Sequence, residues 1–116
     1  MKITNLKETE KVKMNMDGAK DAFKQIPISQ KDGTPLVSFR VFTIEPGGHT
    51  PFHKHAFEHV NYIIDGVGVL VSEGGSENPV CKGDFALVLP DELHQYRNAA
   101  PDRPLVMICA VPKEYE

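Results

Sequence analysis

GGHTPFHKHAFEHVNYIIDG, residues 47–66, is the stretch that decides the fold of this 116-residue chain. It contains four of the five histidines, and the fifth, His94, lies in a second short polar segment, residues 90–98. Neutral imidazole is the commonest protein ligand of transition metals. A chain that gathers all its histidines in two short segments is therefore predicted to bind a metal ion.

Alternation along an extended chain selects the ligands. His53 and His55 follow Pro51, and side chains two residues apart in an extended segment point to the same side. His59 has the same parity, and one irregular step between residues 56 and 58 would turn it inward, while His94 reaches the same point from a neighbouring strand. The predicted metal ligands are His53, His55, His59 and His94.

Two other interpretations of the histidines compete with a metal centre. Ordinary surface or core histidines are disfavoured by the i, i+2, i+6 spacing in a chain with only five. Residues 55–59 also match the H-x-x-E-H zinc-protease pattern, with Glu58 as general base. That pattern needs a helix, which glycines 47 and 48, Pro51 and the β-favouring run 60–64 leave no room for. Glu58 has the opposite parity to the histidines and is expected behind the ligands or at the surface.

Short apolar runs separated by turn residues continue on both sides of this stretch. Strands are predicted at 22–28, 36–44, 59–64, 67–71, near 80, and at 85–89, 95–98 and 105–111. Residues 45–48 are expected to end the second of these, and Asp65-Gly66 predicts a hairpin between the third and fourth. No segment has a helical period. The fold class is therefore all-β, a sandwich or barrel over residues 21–116, preceded by a polar arm or edge strand over residues 1–20.

The two histidine stretches resemble the two sequence motifs of the cupin superfamily. The first motif, G-x5-H-x-H-x3-E-x6-G, is matched in register by Gly47, His53, His55, His59 and Gly66. The second motif, G-x5-P-x-G-x2-H-x3-N, is matched by Gly83, His94 and Asn98. The chain departs from the family where His59 replaces the usual Glu, and where Leu89 and Asp91 replace the usual Pro and Gly.

This resemblance covers about residues 36–112 and implies a double-stranded β-helix, the jelly-roll barrel, with a metal inside its mouth. The His-for-Glu replacement is similar to that of small four-histidine monocupins from bacteria and archaea, which implies manganese or iron as the metal. Four neutral imidazoles would leave the full +2 charge on the ion and strengthen its Lewis acidity. They also suit nickel, zinc or copper. A tetrahedral ion would be closed, whereas an octahedral one would keep two positions for water, substrate or dioxygen.

The cavity wall is predicted from alternation and from proximity to the ligands. Arg40 shares a face with Phe42, as Tyr62 does with Ile64 and Met107 with Cys109. Tyr96 has the parity of His94, and its hydroxyl is expected near the ion. The residues assigned to the pocket or behind the ligands are Arg40, Phe52, Phe57, Glu58, Tyr62, Tyr96, Met107 and Cys109. For the apolar residues assigned by alternation, their types favour plain core packing, whereas Phe52 and Phe57, close to the ligands, are the better candidates for the cavity wall. His49 is expected to face solvent or the cavity mouth.

Composition excludes several classes of partner. The formal charge of −3 and the absence of a Lys/Arg run argue against nucleic acid and anionic membranes. No apolar run approaches the ~20 residues of a membrane span, and the polar N-terminus lacks a signal sequence. Cys81 and Cys109 form no CxxC pair and are expected as reduced, buried apolar residues in a cytoplasmic protein.

The sequence leaves three functions open. The first is a small metalloenzyme of dioxygenase type acting on a small organic substrate, with an isomerase or lyase as a variant. The second is a non-catalytic cupin that binds or senses a small ligand, and the third is a structural metal site. The polar N-terminal residues are expected to pair with a second copy of the chain, giving a homodimer.

Overall fold

A computed structural model describes residues 1–116 and contains nine strands. The strands are β1 (Val12–Lys13), β2 (Lys20–Ile28), β3 (Val37–His49), β4 (His59–Asp65), β5 (Val67–Ser72), β6 (Glu77–Cys81), β7 (Phe85–Val88), β8 (His94–Asn98) and β9 (Leu105–Pro112). Four short 3₁₀ turns cover Leu6–Glu8, Gln30–Asp32, Glu73–Gly75 and Lys113–Tyr115. None of the helical segments has the length and apolar character that crossing a membrane requires.

The strands form a curled antiparallel sheet, which confirms the predicted all-β jelly roll. One wall has the order β7-β4-β9-β3, continued by β2 and the edge strand β1, and the other has the order β6-β5-β8. The long strand β3 joins the walls, because its first half pairs with β9 while its last residue, His49, pairs with Arg97 of β8. The interior between the walls is where the histidines lie.

The hairpin predicted at Asp65-Gly66 is wrong. β4 pairs with β7 and β9, whereas β5 pairs with β6 and β8, so the chain changes walls between them. Gly66 makes this corner with φ +87, and a Cβ there would lie 2.2 Å from the carbonyl oxygen of Pro104. A glycine is required here because the loop before β9 approaches the backbone closely. Gly66 therefore forms a corner between the two walls and not a two-residue hairpin turn.

Strand β3 does not end at residues 45–48 as predicted but continues to His49. Its pairing with β2 is irregular there, with the register shifting between Lys20 and Ala22. Gly47 adopts φ +79, and a Cβ on Gly48 would lie 2.7 Å from the carbonyl oxygen of Lys20. The turn-like residues therefore bend a continuous strand, and the bend carries β3 from one wall to the other.

The apolar core lies next to the histidines. Strand β9 alternates strictly between buried and half-buried residues, with Leu105, Met107, Cys109 and Val111 each at most 1% exposed. The central cluster consists of Ala22, Ile44, Ile63, Tyr96, Leu105 and Met107. These side chains come from both walls, so burying them fixes the two walls against each other.

The N-terminal residues contact their own chain. β1 pairs with β2, and the side-chain amide of Gln25 donates to the carbonyl oxygens of Leu6 and Thr9, both at 2.9 Å. Lys2 forms an ion pair of 2.8 Å with Asp32. The arm is thus held against its own chain through β1 and these polar contacts, and its expected pairing with a second copy stays a prediction.

One outer surface of the β7-β4-β9-β3 wall is apolar, and we call it the outer apolar face. Val60 lies opposite both Leu87 and Ala110, and Phe39 lies on the other side of Ala110, so these four residues form one row across four strands. The exposed fractions are 59% for Leu87, 43% for Val60 and 39% for Phe39, and Phe85 beside them is 74% exposed. A row of this kind contrasts with the polar outer face of a solvated sheet.

Candidate metal centre

Four imidazole rings converge inside the barrel. The centroid separations are 5.3 Å for His53–His55, 5.1 Å for His53–His94 and 5.0 Å for His55–His94. His59 lies 5.1 Å from both His55 and His94. One nitrogen from each of His53, His55 and His94 lies within 4.8 Å of the other two. The structure thus brings His53, His55 and His94 within reach of one ion, places the ring of His59 beside those of His55 and His94, and leaves His49 outside the cavity.

The backbone holds these residues in place. His53 and His94 form an isolated antiparallel bridge, with N–H to O distances of 3.1 and 2.9 Å. The amide of Asp91 donates to the carbonyl oxygen of His55 at 2.7 Å, which ties the two histidine stretches together again. The chain bends at residues 56–57, and His59 then starts β4 with its side chain buried. This bend is the irregular step expected from the sequence.

Hydrogen bonds to carbonyl oxygens set the tautomers of three rings. The Nδ1 atoms of His55, His59 and His94 lie 2.8, 2.7 and 2.7 Å from the oxygens of Phe57, Asn61 and Glu92, in that order. A carbonyl oxygen can only accept, so each Nδ1 must carry the proton. The Nε2 lone pairs are then free for a metal, an arrangement that metal-binding histidines commonly show.

The donor set fits a divalent transition metal. The Nε2 atoms of His59 and His94 are 3.3 Å apart, and neither needs to carry a proton once Nδ1 does. Two nitrogens bound to one ion at about 2.0–2.1 Å are separated by roughly 2.8–3.0 Å at octahedral angles and roughly 3.3–3.4 Å at tetrahedral ones. Two buried lone pairs facing each other at this distance repel, and a shared cation removes that repulsion.

Burial keeps His53, His59 and His94 neutral. Desolvation lowers the pKa of His59 to about 3, a shift that the hydrogen bond to Asn61 only partly opposes. Desolvation also lowers the pKa values of His53 and His94, and neighbouring histidines act in the same direction. Neutral imidazole is the form that binds metal, so these ligands need not lose a proton first at neutral pH.

Asn61 is a site residue that the sequence reasoning missed. It is 1% exposed, and its Oδ1 accepts from His59 Nδ1 and, at 3.1 Å, from the hydroxyl of Tyr96. Burial raises the pKa of Tyr96, with the Cys109 thiol adding to the effect, so its phenol stays protonated and acts as a donor. The sequence did contain a signal for Asn61. It is a polar residue two positions after His59 in a buried strand, so its side chain must face the same side as that of His59.

A cavity of about 380 Å³ opens beside the histidines. Its wall includes several residues predicted to line it: Arg40, Phe42, Phe57, Tyr96, Met107 and Cys109. Its other lining residues include Met14, Met16, Lys24, Asn61, Tyr115 and Glu116. Met14 and Met16 belong to the N-terminal segment, and its polar composition gave no sign that it would line a cavity.

Two residues expected on the cavity wall lie elsewhere. Tyr62 packs against Phe85 on the outside of the barrel, with centroids 4.5 Å apart. The reason is parity, because His59, Asn61 and Ile63 face inward along β4 and Tyr62 must face outward. Phe52 is 45% exposed and does not line the cavity. The exposed Glu58 side chain also lies outside it, in the surface position that was one of its two expected placements.

The C-terminal turn closes one side of the cavity through an aromatic stack. Phe57 lies flat between His55 and Tyr115, with centroid distances of 3.9 and 4.2 Å. The side chain of Glu116 accepts from the Ser38 hydroxyl and from the backbone N–H of Gln30 at 2.9 Å. The Oε2 atom of this carboxylate is therefore held in place by the protein.

This chain is similar in sequence pattern and in fold to known proteins. The profile of the cupin domain family matches residues 40–111. The polyketide cyclase RemF from Streptomyces resistomycificus superposes with a TM-score of 0.89 and 25% identity, over 97% of this chain and 79% of that one. A predicted oxalate decarboxylase from Thermotoga maritima has a TM-score of 0.80 and 22% identity over 97% and 99% of the two chains. Ectoine synthase from P. lautus gives 0.74 and 21% over 97% and 78%. No curated protein sequence matches this chain.

Proposed function

This chain belongs to the cupin domain family, and from that premise we propose that it is a small metalloenzyme. Its ligands in this proposal are His53, His55, His59 and His94, and its substrate is a small organic molecule that enters the cavity beside them. The observation that carries the proposal is the set of Nδ1 hydrogen bonds, which leaves three Nε2 lone pairs directed away from their carbonyl partners.

The chemistry expected of such a site is polarisation of a substrate oxygen. A divalent ion held by four neutral imidazoles supplies a Lewis acid of undiminished +2 charge. The protein supplies orientation and exclusion of water through the apolar wall formed by Phe42, Phe57 and Met107. The carboxylate on the cavity wall, Glu116, is held through Oε2 by Ser38 and Gln30. Cyclisation, isomerisation or lyase chemistry at a carbonyl fits this polarising site. The similarity to a protein named as a polyketide cyclase supports this class.

A dioxygenase-type oxidation is the second candidate. It rests on the same four nitrogens, which also suit iron or manganese as the ion. The metal found in the purified protein, together with consumption of dioxygen in the presence of substrate, separates the two chemistries. A cupin that only binds a small ligand is the non-catalytic alternative, and it predicts saturable binding without turnover.

The setting proposed for this enzyme is the cytoplasm, as a homodimer. Both Cys81 and Cys109 are free thiols, which suits a reducing compartment. Only Cys109 is buried as expected, whereas Cys81 is exposed. We propose that the second copy binds to the outer apolar face, because apolar surfaces without charged residues are typical of the centre of homodimer interfaces.

Metal content tests the ligand assignment directly. Protein loaded with Zn²⁺ or Mn²⁺ and then desalted should retain about one ion per chain by mass spectrometry of the metal. His94→Ala and His55→Ala should lose most of it, while the matched control His49→Ala should keep it, because His49 lies outside the cavity. Equal occupancy in all four proteins would refute the site.

Turnover tests the enzymatic part of the proposal. The loaded protein is incubated with small 1,3-diketones, and loss of their enol absorbance is followed with and without EDTA. The proposal expects conversion that requires both metal and His55. Binding of these compounds with no conversion across metals would favour the non-catalytic alternative.

A further inference from the structure

We propose that the cavity binds its ligand through an anionic group, with Arg40 as the direct partner of that group and Lys24 as a second positive charge. The ligand class is a small, largely apolar organic anion such as a carboxylate or an enolate. This inference rests on the proposed function only in assuming that the cavity takes up a small organic molecule.

Arg40 is a half-buried cation without an anionic partner. Its Nη2 donates to the sulfur of Cys109 at 3.1 Å, its Nη1 lies 3.4 Å from the carbonyl oxygen of Tyr115, and its buried Nε has no partner. Sulfur is a weak acceptor, and the carbonyl is at the limit of hydrogen-bond distance. The guanidinium also lies 5.0 Å from the ring centre of Phe42. None of these contacts neutralises the charge.

No carboxylate in the chain forms an ion pair with Arg40 or Lys24. The four ion pairs of the structure involve Lys2, Lys13, Arg97 and Arg103, so neither Arg40 nor Lys24 has an acidic partner within 4.0 Å. Glu116 is the one acidic residue on the cavity wall, and Ser38 and Gln30 hold its carboxylate. Lys24 and Arg40 line the same cavity. Burial lowers the pKa of Lys24, the charge of Arg40 acts in the same direction, and the Glu116 carboxylate opposes the shift only in part.

A charge removed from water is costly unless an opposite charge compensates it. Arg40 and Lys24 therefore make uptake of an anion favourable, and a guanidinium is well suited to bind a carboxylate through two parallel N–H donors. Met14, Met16 and Met107 line much of the remaining wall together with aromatic residues, which favours a ligand whose body is apolar. A volume of about 380 Å³ accommodates one or two fused rings with a substituent.

The test compares 2-naphthoate with its neutral analogue 2-naphthamide by calorimetric titration of EDTA-treated protein. The two probes have nearly the same shape and differ in charge. The wild type should bind 2-naphthoate about ten-fold or more tightly than the amide, as expected for charge-assisted hydrogen bonds. Arg40→Met should abolish that preference, and Lys24→Met should reduce it. Arg103→Met is the matched control, since its side chain is 59% exposed and pairs with Asp65 outside the cavity, and it should keep the preference.

Equal affinity for the two probes, or an unchanged preference in a folded Arg40→Met protein, would overturn the inference. If Arg40→Met does not fold by circular dichroism, Lys24→Met decides, and an unchanged preference there has the same consequence. Repeating the titration with Zn²⁺-loaded protein separates this result from the proposed function. A preference that persists without metal, while zinc fails to bind, would refute the metal centre and leave the anion site standing.

Discussion

The hydrogen bond between Asn61 and His59 makes metal affinity depend on a residue that does not touch the metal. In Asn61→Leu the number of side-chain heavy atoms at this 1%-exposed position is kept, but the oxygen 2.7 Å from His59 Nδ1 is lost. The ring can then rotate or change tautomer, either of which withdraws Nε2 from the cluster. Loss of such an outer partner typically weakens metal binding by about 10–100-fold, roughly 1.4–2.8 kcal/mol.

The size of this effect can be checked against the energetics of the bond itself. A buried N–H left without a partner costs about 1–3 kcal/mol, which is the same range. The tyrosine hydroxyl that shares this oxygen is also left unpaired, so Asn61→Leu should lower the free energy of unfolding as well. Metal affinity must therefore be compared between folded proteins.

The assay is competition for Zn²⁺ between the protein and a chromophoric chelator at pH 7. Tyr96→Phe is the matched control, because it removes the second hydrogen bond to Asn61 and leaves the bond to His59 intact. We expect less than about three-fold weaker zinc binding in this variant, since the outer partner of the ligand is kept. An Asn61→Leu protein that folds and binds zinc as tightly as the wild type would refute the role assigned to Asn61.

Three further predictions concern stability and assembly. In EDTA-treated protein the pKa of His59 is lowered from 6.5 to about 3, so the unfolded chain takes up the proton first as pH falls. The free energy of unfolding in urea should therefore lose about 1.4 kcal/mol per pH unit between pH 6 and 4 from this residue, and a His59→Gln variant that kept the same slope would contradict it. Gly66→Ala places a Cβ 2.2 Å from the carbonyl oxygen of Pro104 and should lower the free energy of unfolding by at least about 3 kcal/mol. Gly33→Ala, with φ +83 and open space around it, should lower it by about 1–2 kcal/mol. Equal losses for the two variants in urea unfolding would disprove the close approach. Leu87 is 59% exposed on the outer apolar face. Light scattering should give twice the 12.9 kDa chain mass for the wild type and the mass of one chain for Leu87→Lys. A monomeric wild type would refute the homodimer.

Local patterns were sufficient for the fold class and for the grouping of the histidines. Alternation over short segments predicts most strands, and the shared parity of His53, His55 and His59 predicts that three imidazoles lie on one side of the chain. These inferences succeeded because the direction of a side chain along an extended segment depends on neighbouring residues alone.

The errors arose where pairing partners are distant in sequence. Asp65-Gly66 has the composition of a hairpin turn, yet the strands on its two sides pair with four others, and only the whole sheet determines that. Tyr62 was assigned to the cavity although it follows His59 by an odd number of residues, so its parity alone placed it on the outer face.

What the sequence by itself determined is therefore the all-β class and the set of imidazoles that face one interior point. Only the tertiary structure decided which oxygen holds each Nδ1 and that Asn61 lies behind His59. Only the tertiary structure also showed that Arg40 lies in the cavity with no anion beside it. The physical reason is that hydrogen bonds and charge compensation depend on atoms brought together from separate strands, which no local pattern specifies.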